Sequence, residues 1–256
     1  MCLAVIAFAV HPRHRVVVAA NRDEYHARPA APAAWWDEGF LAGRDLKAGG
    51  TWLGVDRRGR FALLTNVREP ARHNPDAPSR GSLVPNILTA QAPPGVSLPA
   101  HVRAGVAHNG FNLIAGDLNE LLWGSNRAAA PLTLGSGIYA ISNHLLDTPW
   151  PKVTRTKEAF RRWCEKDEGG EDLEALFALL HDTEHALDAE LPSTGLTMER
   201  ERMLSSPFIV SADYGTRCST VLTIDRDDAR LVERRFDARG GAIGEVEYRF
   251  AISGAL

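Results

Sequence analysis

The second residue of the chain is a cysteine, and its position allows two chemical interpretations. Cys2 follows Met1 and precedes a run of Leu, Val, Ile, Ala and Phe that extends to Val10. As an internal residue it would be a small, buried, hydrophobic side chain at the start of a strand. If Met1 is removed, the same residue carries a free α-amine, with a pKa near ~8, beside its thiol. That amine can take the thiol proton, directly or through a water, so Cys2 is also a candidate N-terminal nucleophile.

A charged cluster at residues 21–24, with the sequence Asn-Arg-Asp-Glu, stands at the end of an apolar run. Clusters of this kind are commonly solvated where a strand leaves the core. The alternative is that pairing of the first two strands brings Arg22 and Asp23 beside Cys2. Arg22 would then favour the thiolate by its charge. Asp23 would accept a hydrogen bond from the terminal ammonium or orient a substrate.

Three further polar residues are candidates for the same site. Asn66 and Asn143 each follow an apolar run and are predicted to stand at the ends of strands. Asparagine is common in turns. In a catalytic role each would donate an N–H to a developing oxyanion, where one donor is worth roughly 3 kcal/mol. Arg217 is predicted in a polar turn between two strands, as an ordinary loop residue or as the partner of a carboxylate or thiolate.

The elements that must position these residues can be read from hydrophobic runs and turn signals. Residues 3–10 and 16–22 predict one hairpin, residues 51–66 a second with its turn at 56–59, and residues 111–126 a third. Helices are predicted from near Ser79 to before Pro93, around 99–108, and at 151–166 and 171–187, the last two separated by a breaker at 167–172. Further strands are predicted at 137–143, 208–213, 219–227, 229–237 and 245–252.

This order of elements favours an α+β fold with largely antiparallel sheets. Continuous apolar strands need cover on both faces, so helices are expected outside the sheets. No repeat, low-complexity tract or linker divides the 256 residues, and residues 1–256 are predicted to form a single domain.

Composition limits the classes of function and the location. The net charge of -3 argues against a general nucleic-acid binder. Three dispersed cysteines do not make a disulfide framework or a zinc site and favour a reducing compartment. The apolar opening lacks the basic segment of a signal peptide and is too short to span a membrane, so the protein is predicted to be cytoplasmic, without stable membrane insertion.

Two motifs that suggest a cofactor or a metal are set aside. The run GSGIYA at 135–140 leads into a strand and not into the helix that a dinucleotide fingerprint requires. His181 and His185 have the spacing of a zinc pair, but the expected Glu is absent and no third ligand is evident. No metal and no cofactor is predicted.

Seven sequence blocks in order resemble the NRDE family, which includes the Transport and Golgi organisation protein 2 homologues. The blocks are MCLAVIAF, AANRDEYHARP, LAGRDLKAGGTWLGV, GRFALLTN, NGFNLIAGDL, YAISNHLLDTPWPKV and YGTRCSTV. The family in turn resembles N-terminal-nucleophile hydrolases, which implies a four-layer αββα sandwich. The resemblance therefore agrees with the layers inferred from the residues.

The choloylglycine-hydrolase branch of those enzymes implies roles for the candidate residues. Cys2 is similar to the nucleophile that attacks an amide carbonyl, Asn66 and Asn143 to its oxyanion-binding asparagines, and Arg217 to its late arginine. In that branch the early arginine and aspartate are two residues apart, whereas Arg22 and Asp23 are adjacent. Adjacent strand residues point to opposite faces, so Asp23 and Glu24 both remain candidates for the aspartate's role.

Two functions follow from the residues and the resemblance together. The first is an N-terminal cysteine hydrolase acting on a linear amide or thioester as its small-molecule substrate. The second is a non-catalytic carrier or binding protein for a hydrophobic ligand such as haem or an acyl lipid. The sequence names neither a substrate nor a protein partner.

Overall fold

Thirteen strands form two antiparallel sheets in the computed structural model, which describes residues 2–166 and 173–253. The strands are β1 (Cys2–Phe8), β2 (Val16–Tyr25), β3 (Ala30–Trp35), β4 (Phe40–Asp45), β5 (Leu53–Asp56), β6 (Phe61–Asn66), β7 (Phe111–Gly116), β8 (Leu121–Ser125), β9 (Leu132–Leu134), β10 (Gly137–Ile141), β11 (Tyr214–Ile224), β12 (Asp228–Phe236) and β13 (Ala242–Ala251). Sheet A has the order β10-β1-β2-β11-β12-β13, and sheet B runs in sequence order from β3 to β9.

The main core lies between the two sheets. Alternate residues of β1 and β2, such as Ala4, Ile6 and Val18, pack there against residues of sheet B such as Phe61. Because successive side chains of a strand point to opposite faces, Leu3 and Val17 face away from sheet B. Both faces of sheet A are therefore buried, which explains why these strands read as continuous apolar runs.

The described residues contain five α-helices, of which the first four cover the outer faces of the two sheets. They are α1 (Leu83–Thr89), α2 (Pro94–Ala104), α3 (Pro151–Lys166), α4 (Glu174–Leu180) and α5 (Met198–Met203). Residues of α1 and α2 pack on sheet B, and residues of α3 and α4 pack on sheet A. The result is the predicted four-layer αββα sandwich. None of the helices in the described ranges is long and apolar enough to cross a membrane.

The structure agrees with much of the predicted element order and corrects parts of it. The three hairpins are present, and α3 has the predicted bounds 151–166. The strand predicted at 208–213 is wrong, because those residues are irregular, and Arg217 lies inside β11 and not in a turn. The helix predicted to Leu187 ends at Leu180, so His181 and His185 do not share a helical face. The predicted breaker at 167–172 lies outside the described residues.

A substitution at Phe160 measures how much the packing of α3 against sheet A contributes to the free energy of unfolding. It is fully buried on α3 and belongs to the core between that helix and β1 and β2. Phe160→Ala should lower the free energy of unfolding by about 3–5 kcal/mol, because it removes buried apolar area and leaves a cavity. Urea unfolding measures the change. Arg162→Ala, an exposed site on the same helix, is the control and should change it by about 0.5 kcal/mol or less. Equal effects of the two variants would contradict the prediction.

Candidate active site

The pairing of β1 with β2 places Cys2 directly opposite Arg22. Cys2 is half-buried at the start of β1, and its carbonyl oxygen accepts a hydrogen bond of 2.9 Å from the hydroxyl of Ser142. Successive side chains of a strand alternate between its two faces, and Ala4 of β1 and Val18 of β2 face sheet B. Cys2 and Arg22 are separated from these residues by an even number of positions, so they also lie on the face towards sheet B. The structure therefore brings the thiol and this guanidinium together at one end of the space between the sheets.

Arg22 is held by groups of sheet B. Its guanidinium lies 4.4 Å from the centre of the Trp52 ring and donates to the Asp45 carboxylate at 3.2 Å. Asp45 also accepts from Arg28 at 2.6 Å. Glu24, on the same face as Arg22, lies 3.7 Å from Arg28 and 4.0 Å from Arg22. The arginine is only 5% exposed, so this network compensates a charge that is otherwise costly to bury.

The pKa of Asp45 reflects the opposing effects of burial and of the neighbouring arginines in this network. Burial opposes the ionised form of its carboxyl, but hydrogen bonds from Arg28 and the Ala48 backbone, with the charges of Arg28 and Arg22, outweigh it. The net effect is a pKa below the ordinary value for aspartate. Asp45 is therefore a fixed anion that holds both arginines.

Asp23 occupies the opposite face of β2 and is 1% exposed. Its carboxylate accepts a hydrogen bond of 2.7 Å from the Thr216 hydroxyl, and its carbonyl oxygen accepts one of 3.0 Å from the Tyr214 hydroxyl. Burial raises the pKa of Asp23, and the charge of Lys152 is the largest influence opposing that rise. The adjacent residues Arg22 and Asp23 thus reach the Cys2 end of sheet A from its two sides.

Asn66 and Asn143 meet where the two sheets approach each other. Asn66 is the last residue of β6, and its backbone carbonyl accepts a hydrogen bond of 3.0 Å from the Asn143 side chain. Asn143 is fully buried, and its own carbonyl accepts a bond of 2.7 Å from the Arg68 backbone. Asn66 lines the same cavity as Cys2, and Asn143 holds the backbone of Asn66 through this hydrogen bond.

The structure places Arg217 away from this group. A β-bulge in β11 falls between Thr216 and Cys218, so Arg217 is the extra residue and its side chain is redirected. Its guanidinium donates to the backbone carbonyl of His26 at 2.6 Å. It lines a smaller cavity of about 150 Å³ with Cys218 and Glu233, which Arg22 and Trp52 also line, and it is not among the residues that line the cavity at Cys2.

Lys152 is a buried cation behind sheet A that the sequence analysis did not single out. It is the second residue of α3, it is 1% exposed, and its Nζ makes no hydrogen bond to any residue that the structure describes. A helical pattern could have found it, since Lys152 lies four and eight residues before Thr156 and Phe160, which are both buried. Burial lowers the pKa of Lys152 to about 8, against the opposing charge of Asp23.

Two adjoining cavities share lining residues such as Asn66, and one of them is lined by Cys2. One, of about 350 Å³, is lined by Cys2, Arg22, Asp23 and Asn66. The second, of about 630 Å³, shares Asn66 and has an apolar wall that includes Leu204. Both volumes lie in the range of small-molecule sites.

The thiol itself is not strongly activated in this arrangement. Burial raises the pKa of Cys2, as does the charge of Asp23, whereas Arg22 and a hydrogen bond from the Asp23 backbone lower it. Within residues 2–166 and 173–253, no group of three His, Cys, Asp or Glu side chains is arranged to hold a metal ion. The chemistry that the described site offers is that of a thiol beside a guanidinium and a carboxylate.

The family follows from the sequence comparison. The family model described as Transport and Golgi organisation 2 matches residues 1–238. The chain belongs to this family. It is 37% identical to the Transport and Golgi organization protein 2 homolog of Bos taurus, an alignment that covers 89% of this chain and 90% of the relative. It is 34% identical to the Homo sapiens homolog, with the same two shares covered.

Two solved structures with a similar fold are hydrolases of low sequence identity to this chain. The C2A mutant of the conjugated bile acid hydrolase from Clostridium perfringens aligns with a TM-score of 0.53 at 7% identity, covering 97% of this chain and 92% of the other. The Caenorhabditis elegans ortholog of N-acylethanolamine-hydrolyzing acid amidase aligns with a TM-score of 0.50 at 11% identity, covering 86% and 92%. At these identities the likeness shows that this member of the family has the fold of those hydrolases.

The position of Asp45 between two arginines predicts an acid-dependent stability. Its folded pKa is lowered, so its contribution is complete above the unfolded value of about 4 and is lost as pH falls through the folded value. Asp45→Asn should therefore lower the free energy of unfolding by about 2 kcal/mol at pH 7, and the difference should shrink towards pH 3. Urea unfolding at both pH values measures it. Asp37→Asn, at an exposed position, is the control. A difference for Asp45→Asn that stays constant with pH would contradict the prediction.

Proposed function

We propose that this protein is an N-terminal cysteine hydrolase that cleaves a linear amide or thioester after removal of Met1. The observation that carries the proposal is the register of β1 and β2, which pairs Cys2 with Arg22 at the mouth of a cavity. The hydrolase fold of the structural neighbours supports it. Removal of Met1 would give Cys2 the α-amine that serves as its general base.

Each remaining residue has a role set by its contacts. Arg22 stabilises the thiolate by its charge, and Asp23 accepts a hydrogen bond from the amine of Cys2. Asn66 donates its side-chain N–H to the oxyanion, because it lines the cavity beside Cys2. Asn143 is a positioning residue that holds Asn66 through its hydrogen bond of 3.0 Å. Arg217 has no step in this reaction.

The proposed reaction has two halves. The Cys2 amine takes the thiol proton, and the thiolate attacks the carbonyl carbon to form a tetrahedral oxyanion. Its collapse breaks the C–N or C–S bond, and the ammonium returns the proton to the leaving group. Water then gives a proton to the amine and attacks the thioester on Cys2, which releases a carboxylic acid and restores the thiol.

Intact mass and peptide mapping after brief treatment with limiting iodoacetamide near neutral pH test the first requirement. The expected result is a chain without Met1 in which Cys2 is alkylated well ahead of Cys164 and Cys218, because both of these are buried. Retention of Met1, or equal labelling of the three cysteines, would contradict the proposal.

Turnover of a substrate panel tests the reaction itself. The panel contains an N-acylethanolamine, a glycine-conjugated bile acid and an acyl thioester of N-acetylcysteamine, which sample the two neighbours' substrate classes and a thioester. Cys2→Ala should reduce turnover of any cleaved compound by at least about a thousandfold, since it removes the nucleophile. Cys164→Ala, at a buried position on α3, is the control and should retain turnover. Full activity of Cys2→Ala would contradict the proposal.

A carrier for a hydrophobic ligand is the second candidate, and the larger cavity favours it. That cavity of about 630 Å³ is lined by apolar and aromatic residues such as Leu196, Met203 and Tyr214 together with several charged residues, including arginines that suit the carboxylate or phosphate of an amphipathic ligand. A carrier does not need a free amine at Cys2. Titration of the Cys2→Ala protein with haem and with an acyl-CoA distinguishes the two functions. Saturable binding without turnover by the native protein would favour the carrier, and absence of saturable binding would count against it.

A further inference from the structure

Three arginines line the cavity of about 150 Å³ beside Cys218, and each of them has a buried N–H group without an acceptor. They are Arg22, Arg217 and Arg235. The Nη1 of Arg22 and the Nε atoms of Arg217 and Arg235 are buried and make no hydrogen bond to a residue that the structure describes. Buried polar groups are nearly always hydrogen-bonded. Three guanidiniums with this defect around one cavity need an acceptor that the described residues do not supply.

The register of sheet A explains why these side chains share a cavity. Arg22 of β2 is paired with Cys218 of β11, and Cys218 is paired with Arg235 of β12. Directly opposite residues lie on one face of a sheet, so Arg22 and Arg235 both face sheet B. Neighbouring strands are about 4.8 Å apart, which separates the two backbones by about 10 Å across the small Cys218 side chain. A small group between two side chains as long as arginine can contact both, and Arg217 at the β-bulge supplies the third.

The positive charge around this cavity is only partly compensated by the described residues. Arg22 pairs with Asp45 at 3.2 Å. Arg217 donates only to backbone carbonyl oxygens, and neither it nor Arg235 forms an ion pair with a residue in the described ranges. Glu233 also lines the cavity, but its carboxylate accepts a backbone N–H bond of 2.9 Å, and burial raises its pKa. Glu233 therefore offers less negative charge than an exposed glutamate, and the cavity favours an anion.

We propose that this cavity is a binding site for one phosphate group, held by Arg22, Arg217 and Arg235. A phosphate group carries a charge of about −1.5 to −2 near pH 7 and three strong acceptor oxygens, which suits guanidiniums that approach from three directions. A carboxylate, with one charge and two oxygens, matches them less well. The occupant is inorganic phosphate or the terminal phosphate of an organic monoester.

The size of the cavity limits the occupant to a single group. Its volume of about 150 Å³ is below the range of about 300–1,000 Å³ that is usual for sites that enclose a whole small molecule. The site does not require Cys2 to be a nucleophile. Phosphate binding by a protein with an unreactive Cys2 would support the site and contradict only the proposed hydrolase.

Calorimetric titration of the full chain with inorganic phosphate at pH 7 tests the proposal. We expect saturable binding of one phosphate per chain. Arg217→Gln and Arg235→Gln should each weaken it about tenfold or more, because each removes a charge-assisted hydrogen bond. Arg239→Gln removes an exposed arginine from the turn after β12 and should leave the affinity unchanged. Absence of saturable binding, or equal affinity in all three variants, would overturn the proposal.

Two further titrations distinguish a built site from attraction by charge alone and identify the form of the phosphate. Arg235→Lys keeps the charge but lacks the Nε–H, so it should not restore native affinity. Native affinity in that variant, or binding of acetate as tight as that of phosphate, would overturn the assignment. Methyl phosphate separates the two sources. Binding at least as tight as that of inorganic phosphate indicates the end of a monoester, and weaker binding indicates the free ion.

Thermal unfolding provides a measurement that also reports whether the variants fold. The double variant Arg217→Gln, Arg235→Gln should have a Tm no lower than that of the native protein in phosphate-free buffer, because it removes two cations that repel each other. Added phosphate should raise the Tm of the native protein and leave that of the double variant unchanged, since a ligand stabilises the folded state that binds it. An equal rise in both proteins would be a general salt effect and would overturn the proposal.

Discussion

The antiparallel pairing of β1 with β2 is the constraint on which the rest of the site depends. Its register puts Cys2 opposite Arg22, and the alternation of a strand then sends Asp23 to the other face of sheet A. The same alternation separates the core between the sheets from the core beneath α3 and α4. A shift of one residue would exchange the faces of every side chain on β1, and would bury Cys2 under the helices and away from Arg22.

Enclosing this many charges is tolerable because nearly all are compensated by other parts of the fold. Asp45 of β4 holds Arg22 and Arg28, and Glu201 of α5 holds Arg68. Breaking a buried pair leaves one charge without compensation, so these contacts also fix the two sheets and α5 in place around the cavities. The compensation for Arg22 comes from sheet B and that for Arg68 from a helix. The site is therefore complete only when both sheets have assembled.

The sequence predicted the elements that are long and apolar, and it missed those whose pairing depends on distant residues. The hairpin of β1 and β2 carries strong β-branched runs, so its strands and the meeting of Cys2 with Arg22 followed from local pattern. Strand β3 contains Pro32 and four alanines and lies at the edge of sheet B, where proline is permitted, so its residues gave no strand signal.

The misplacement of Arg217 has a similar cause. The apolar residues at 208–213 resemble a strand, but across an irregular turn the Thr216 N–H donates to the Ile209 carbonyl, and the Ile209 N–H donates to the Thr216 hydroxyl and not to a backbone carbonyl. A bulge is one extra residue in a ladder, and residue type does not reveal it. Lys152 was missed for the opposite reason. The helical spacing of Lys152 from Thr156 and Phe160 was visible in the sequence. A lysine at such a position is nevertheless expected to be exposed, because its burial depends on charges that only the folded structure brings together.

The arrangement divides the site between the two sides of sheet A. The thiol and Arg22 face sheet B, whereas the Asp23 side chain lies on the side of sheet A that α3 covers, although Asp23 also lines the cavity at Cys2. The backbone nitrogen of Cys2 lies in the plane of the sheet, at its end, and groups on either side can influence it. Cavity walls such as Leu204 could change to admit another ligand while the charges behind the sheet stay as they are. One fold can in this way keep the same charged groups near Cys2 while the walls of its cavities differ.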